Sequence, residues 1–135
     1  EAGTHNIPGI AGLLAGLRYV KRRGLESIDA HERKLKGLMC RKLAGISGLE
    51  VFSSPTAQSG VLSVRSGKLG SEEIAAALGA RGVAVRAGLH CAPLAHQSAG
   101  TLEGGTVRFS FSPFNNAAEI DRAAAELVRI LKMSS

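Results

Sequence analysis

Tryptophan is absent from the sequence and aromatic residues make up only 4% of it, so any core has to be built from aliphatic side chains. Cysteine occurs twice in 135 residues. That is too few for a disulfide scaffold and points to a reducing, cytoplasmic setting. No stretch approaches the roughly 18 apolar residues that a membrane span needs, and no basic segment precedes an apolar run as in a secretory signal. Repeats and low-complexity tracts are lacking too. With 44% hydrophobic and 21% charged residues, a disordered or fibrous chain is excluded. What remains is one domain over residues 1–135, with room for a single core. The chain opens on Glu1 rather than Met, as expected of a piece of a longer protein.

The net charge of +6 is unevenly placed. From Arg18 to Lys42 there are nine Lys/Arg against three Asp/Glu, and the remainder is balanced. A basic helical surface can meet phosphates, but no aromatic residues are interleaved for base stacking. A solvated face, or one covering an acidic part of a larger protein, is the plainer reading; a binding module for nucleic acid or an acidic protein stands as the alternative.

Periodicity organises the rest. Ile10, Leu13, Leu14, Leu17 and Val20 recur at helical spacing over residues 9–22, ended by Gly24 after a basic last turn. Ser27 is placed to cap a second helix reaching Leu43, closed by the Gly45–Gly48 turn. Strands are expected at Leu49–Ser53 and Gly60–Ser66, on either side of a loop containing Pro55. Ser71, Glu72 and Glu73 open a short helix through Leu78, and Val83–Arg86 reads as a third strand. Val107–Phe111 is the clearest strand, with Val107, Phe109 and Phe111 on one face and Arg108 and Ser110 on the other. Asn116 with Glu119 forms a capping box before a helix striped by Ile120, Ala124, Leu127 and Leu131. This order predicts an α+β two-layer sandwich with a mostly antiparallel sheet of about four strands. The connection over residues 87–105 is long for so small a domain, and long loops tend to be functional.

That loop begins Arg86-Ala87-Gly88-Leu89-His90-Cys91-Ala92. A cysteine just past a glycine turn, with His90 beside it and Arg86 close by, is placed to ionise, because cationic neighbours favour the thiolate nucleophile. Cys40, inside the second helix beside its apolar stripe, reads as structural. His90, Cys91 and His96 are close in sequence, but their spacing is not that of a zinc site and no fourth ligand is near, so no metal is expected. Gly67-Lys68 is followed by Leu69 and lacks the pattern of a phosphate-binding P-loop. Gly3-Thr4, just ahead of the first helix, offers backbone donors and a hydroxyl where an anion could sit. Arg108, rigidly carried on a strand, is suited to a bidentate carboxylate pair.

Three segments in this order resemble the cysteine desulfurases and selenocysteine lyases of the class V aminotransferase-like, pyridoxal-phosphate-dependent group. They are Glu1-Ala2-Gly3-Thr4-x-Asn6, Val85-Arg86-Ala87-Gly88-x-His90-Cys91-Ala92 and Gly105-Thr106-Val107-Arg108-Phe109-Ser110. The cysteine loop is similar to that of the short-loop desulfurases. The resemblance spans essentially the whole chain and implies the small C-terminal domain of a fold type I enzyme about three times as long. By that resemblance Cys91 takes sulfur from L-cysteine or selenocysteine as a persulfide, and Arg108 holds the substrate carboxylate. Arg86 and His90 lie near the substrate, while Thr4, with Gly3, reaches the pyridoxal phosphate of the neighbouring subunit of a homodimer. A sulfur-acceptor protein is the implied partner. An aminotransferase or epimerase of the same class is the alternative enzyme.

Two departures matter. His5 stands where the family usually has Pro after Gly-Thr. The family's cofactor-anchoring lysine and its ring aspartate have no counterpart here, since no lysine of this chain occupies a matching motif. The chain by itself is therefore expected to be inactive.

Overall fold

A computed structural model describes residues 3–53 and 59–133; Glu1, Ala2 and the Pro55 loop of the sequence reading lie outside them. The described chain runs α1 (Ile7–Arg23), α2 (Leu25–Leu43), β1 (Leu49–Phe52), β2 (Val61–Ser66), α3 (Ser71–Gly79), β3 (Arg86–Gly88), α4 (Pro93–Ser98), β4 (Thr106–Ser110) and α5 (Ala117–Met133). The strands form one fully antiparallel sheet in the order β1-β2-β4-β3. Helices α2, α3 and α5 cover one face of it. This is the expected two-layer α+β sandwich.

The core is aliphatic, as the lack of aromatics requires. Leu62 and Val64 of β2 and Val107 of β4 meet Met39 and Leu43 of α2, Ile74 and Leu78 of α3, and Leu127 of α5, all fully or nearly fully buried. Strand alternation puts Ser63, Arg108 and Arg86 on the opposite face. The α5 capping box forms as read: Asn116 Oδ1 accepts from Glu119 N–H at 3.1 Å, and Glu119 Oε2 accepts from Asn116 N–H at 3.0 Å.

Four expectations are corrected. Helix α2 starts at Leu25, not beyond Ser27, because Gly24 at φ 83° turns the chain straight from α1 into α2. The cap of α3 is Gly70, whose N–H donates to Glu73 Oε2 at 2.9 Å. Ser71 instead points its hydroxyl at the Gly104 carbonyl. The third strand begins at Arg86, where Val83–Arg86 was expected, because Val83 N–H is tied back to the Leu78 carbonyl at 3.0 Å and ladder pairing starts only opposite Arg108. The long connection after β3 contains a helix, α4. The amphipathic stripe of α1 is formed but not covered: none of its residues is buried.

Candidate active site

The outer face of the sheet carries a row that crosses all four strands, Phe52–Ser63–Arg108–Arg86, each residue directly opposite the next. Two like charges facing each other across an antiparallel pair destabilise a sheet unless an anion lies between or near them. Among the described residues neither guanidinium is in an ion pair, and Arg108 Nε is buried with no hydrogen-bond partner. Two guanidiniums therefore share this face of the sheet, both carried on strands and facing each other across the β3–β4 pair.

Cys91 lies in the loop just after β3. Ala92 N–H donates to the Leu89 carbonyl at 2.9 Å, closing a four-residue turn. Its two central residues, His90 (φ 52°) and Cys91 (φ 59°), are the only described non-glycine residues at positive φ. Positive φ at both central positions is the type I′ pattern, which Asn and Gly fill most easily. Side chains held there cost about 1–3 kcal/mol each, strain that concentrates at functional sites. The turn leaves Cys91 exposed, whereas Cys40 is buried in α2. Burial pushes the Cys40 thiol up, against the partial opposition of Lys36 and Arg41, in keeping with a structural cysteine.

His90 lies against β4, its Nε2 3.2 Å from Thr106 Oγ1, with Nδ1 buried and unpartnered. Burial holds it below the ordinary histidine range; Arg108, His96 and Arg86 push the same way, against a hydrogen bond at Thr106. The expected cationic His90 beside the thiol is therefore corrected: the residue is held neutral near pH 7, and the positive field at this end of the sheet comes from Arg86 and Arg108.

Sequence reasoning missed three supports. Gly105, at φ 61°, packs so closely on Gly88 that a β-carbon would lie 2.6–2.7 Å from the Gly88 backbone. Thr106 anchors His90. His96, set aside as a poor zinc ligand, is the one buried residue of α4, its Nδ1 2.7 Å from Thr101 Oγ1. Gly104-Gly105 and the paired threonines were the available signals. Among the described residues, no group of three His, Cys, Asp or Glu could hold a metal ion, and no helix is long and apolar enough to cross a membrane. Gly3 and Thr4 are exposed ahead of α1, which Asn6 caps by accepting from Gly9 N–H at 3.0 Å. No hydrogen bond joins them to the Cys91 turn.

Residues 1–123 match the aminotransferase class-V family. A probable cysteine desulfurase of Xylella fastidiosa is 35% identical over 133 residues, 98% of this chain and 32% of the relative. One from Mycolicibacterium paratuberculosis is 43% identical over 121 residues, 90% of this chain and 17% of the relative. Among solved structures, the cysteine desulfurase CsdA of Escherichia coli, in its S-sulfonic acid form, superposes with a TM-score of 0.88 at 28% identity, covering 100% of this chain and 33% of that one. Apo cysteine desulfurase from Thermococcus onnurineus gives 0.87 at 32% identity, covering 98% and 33%. The chain thus spans a third or less of the relatives named here.

Proposed function

The chain belongs to the aminotransferase class-V family, and we propose that it is the small C-terminal domain of a cytoplasmic, homodimeric, pyridoxal-phosphate-dependent cysteine desulfurase. One observation carries the reading. An exposed cysteine stands on a strained turn just after β3, the strand whose Arg86 faces Arg108, and among the described residues neither arginine is in an ion pair. The similar proteins named as cysteine desulfurases support the choice of chemistry.

The residues present fit the periphery of a cofactor–substrate complex. Buried, unpartnered Arg108 Nε and the facing Arg86 suit the α-carboxylate of L-cysteine or selenocysteine, and Thr4 with Gly3 suits the cofactor phosphate of the neighbouring subunit. The anchoring lysine is assigned to the rest of the longer polypeptide, because no lysine here stands in the Ser-His-Lys-type motif that carries it in the family. Bound pyridoxal phosphate supplies the electron sink for bond cleavage at the substrate.

Arg108 fixes the substrate by its carboxylate, which sets the substrate sulfur in reach of Cys91. The Cys91 thiolate forms a bond to that sulfur as the substrate's carbon–sulfur bond breaks, and the bonding electron pair stays on the carbon side. Proton uptake there yields alanine, and Cys91 keeps the sulfur as a persulfide for a sulfur-acceptor protein. Arg86 faces Arg108 across the β3–β4 pair, and Cys91 follows β3 on an exposed turn. That exposure makes the persulfide reachable by the acceptor.

In the complete enzyme, Cys91→Ser should lower alanine release from L-cysteine by orders of magnitude while L-cysteine still perturbs the cofactor absorbance. Arg108→Ala should weaken that perturbation first, since a charge-assisted pair contributes roughly 1.5–3 kcal/mol. Near-parent alanine release by Cys91→Ser would refute the assignment and favour an aminotransferase or epimerase.

A further inference from the structure

Helix α4 follows the Cys91 turn directly, and five of its six residues are exposed or nearly so. Its sole buried residue is His96. A short helix is ordinarily anchored by an apolar side chain; a buried polar anchor makes sense where its hydrogen bonds and its direction matter. His96 Nδ1 meets Thr101 Oγ1 at 2.7 Å, and Thr101 N–H donates to the His96 carbonyl at 2.8 Å. The helix is thereby clasped to the loop that leads into β4. At the far end of α4, Arg65 Nη1 donates to the Gly100 carbonyl at 2.8 Å. On its other side the His96 ring lies 5.7 Å from that of His90, tilted by 45°. His90 in turn contacts Thr106 and immediately precedes Cys91.

The strained turn needs such a clasp. With positive φ at two residues that carry side chains, it relaxes unless its surroundings over-determine it. Its own closing bond, from Ala92 N–H to Leu89, is a single one.

We propose that His96, held by Thr101, is a positioning residue that keeps His90 packed on Thr106 and so fixes the conformation in which Cys91 is presented. This rests on the reading of Cys91 as the sulfur-accepting nucleophile, but its geometry is independent of which substrate delivers the sulfur. Three charged or titratable groups influence His90: Arg108 on β4, Arg86 on β3 and His96 on α4.

The test uses the complete polypeptide with His96→Leu, Thr101→Val and His96→Asn, the last able to place an amide where Nδ1 meets Thr101 Oγ1. Two readouts that packing alone would not move are the titration midpoint of His90, followed by its ring resonances, and the rate of Cys91 alkylation by iodoacetamide, followed by peptide mapping. His96→Leu and Thr101→Val should raise the His90 midpoint by roughly half a unit or more as its burial loosens. Both should also change the rate of Cys91 alkylation as the turn relaxes from its positive-φ conformation. His96→Asn should stay near the parent on both measures. If His96→Leu folds, as judged by far-ultraviolet circular dichroism, and leaves both readouts unchanged, His96 is a packing residue and the proposal is wrong. Should that variant not fold, the same criteria apply to Thr101→Val. Neither readout uses turnover, so a failed desulfurase assignment, seen as alanine release by Cys91→Ser, is distinguishable from a failed clasp.

Discussion

Position 105 has room for a hydrogen atom and nothing larger. A β-carbon there would collide with the backbone of Gly88, and the residue also sits at φ 61°. Gly104 next to it has a positive φ of 79° but open space around it. The pair separates two effects that usually arrive together. Gly104→Ala should cost only the left-handed strain, about 1–2 kcal/mol. Gly105→Ala should cost about 2–4 kcal/mol, since strain and steric overlap add. Urea unfolding of the 135-residue chain measures both, and equal losses would show that the Gly88–Gly105 approach is not tight. His90 gives a second prediction at this scale. Its native pKa lies below the ordinary value, with burial the largest cause. The unfolded chain therefore binds the proton first as pH falls below about 6.5. Stability contributed by neutral His90 is present above that value and is lost as pH falls through the lower native one. His90→Gln should flatten this part of the stability–pH curve; an unchanged slope would mean that His90 is not held neutral.

Elements whose pattern and caps lie within a few residues were legible in the sequence. β4 alternates cleanly, and α5 carries both halves of its capping box and a full apolar stripe. For the same reason Arg108 could be placed on the outer face before any coordinates. β3 was misplaced because Val83 and Val85 have strand-like side chains but are spent on core packing and on closing the turn after α3. Ladder pairing is a long-range property that Arg86–Gly88 acquire only from β4. α4 was invisible for a different reason. Pro93-Leu94-Ala95-His96-Gln97-Ser98 has no apolar stripe to read, being held by one buried histidine and a threonine five residues on. The candidate site follows the same division. Cys91, His90, Arg86 and Arg108 were nameable from sequence and motif, yet the facing of the two arginines and the neutrality of His90 depend on strand register and burial.

Taken whole, the molecule has one finished face and one that is not. The sheet and α2, α3 and α5 close around a continuous aliphatic core. On α1, by contrast, Ile7, Ile10, Leu13, Leu14 and Leu17 stand 46–65% exposed, and among the helices and strands α1 packs chiefly on α2. A contiguous apolar stripe of this kind is uncommon on the surface of a soluble monomer and marks a surface meant to be covered. If the chain is one domain of a protein about three times its length, the remainder of that protein is the natural cover. The two contexts then give opposite outcomes for one variant. In the isolated 135-residue chain, Leu13→Gln with Leu17→Gln removes side chains that already face water, so unfolding free energy should change by no more than about 0.5 kcal/mol per site, and self-association in sedimentation velocity should decrease. In the complete polypeptide the same pair would bury two unpartnered amides, and each should cost about 1–3 kcal/mol. A thermal midpoint of the complete protein that did not fall would show that α1 is left uncovered there, and that its stripe serves something other than the packing of one domain on the next.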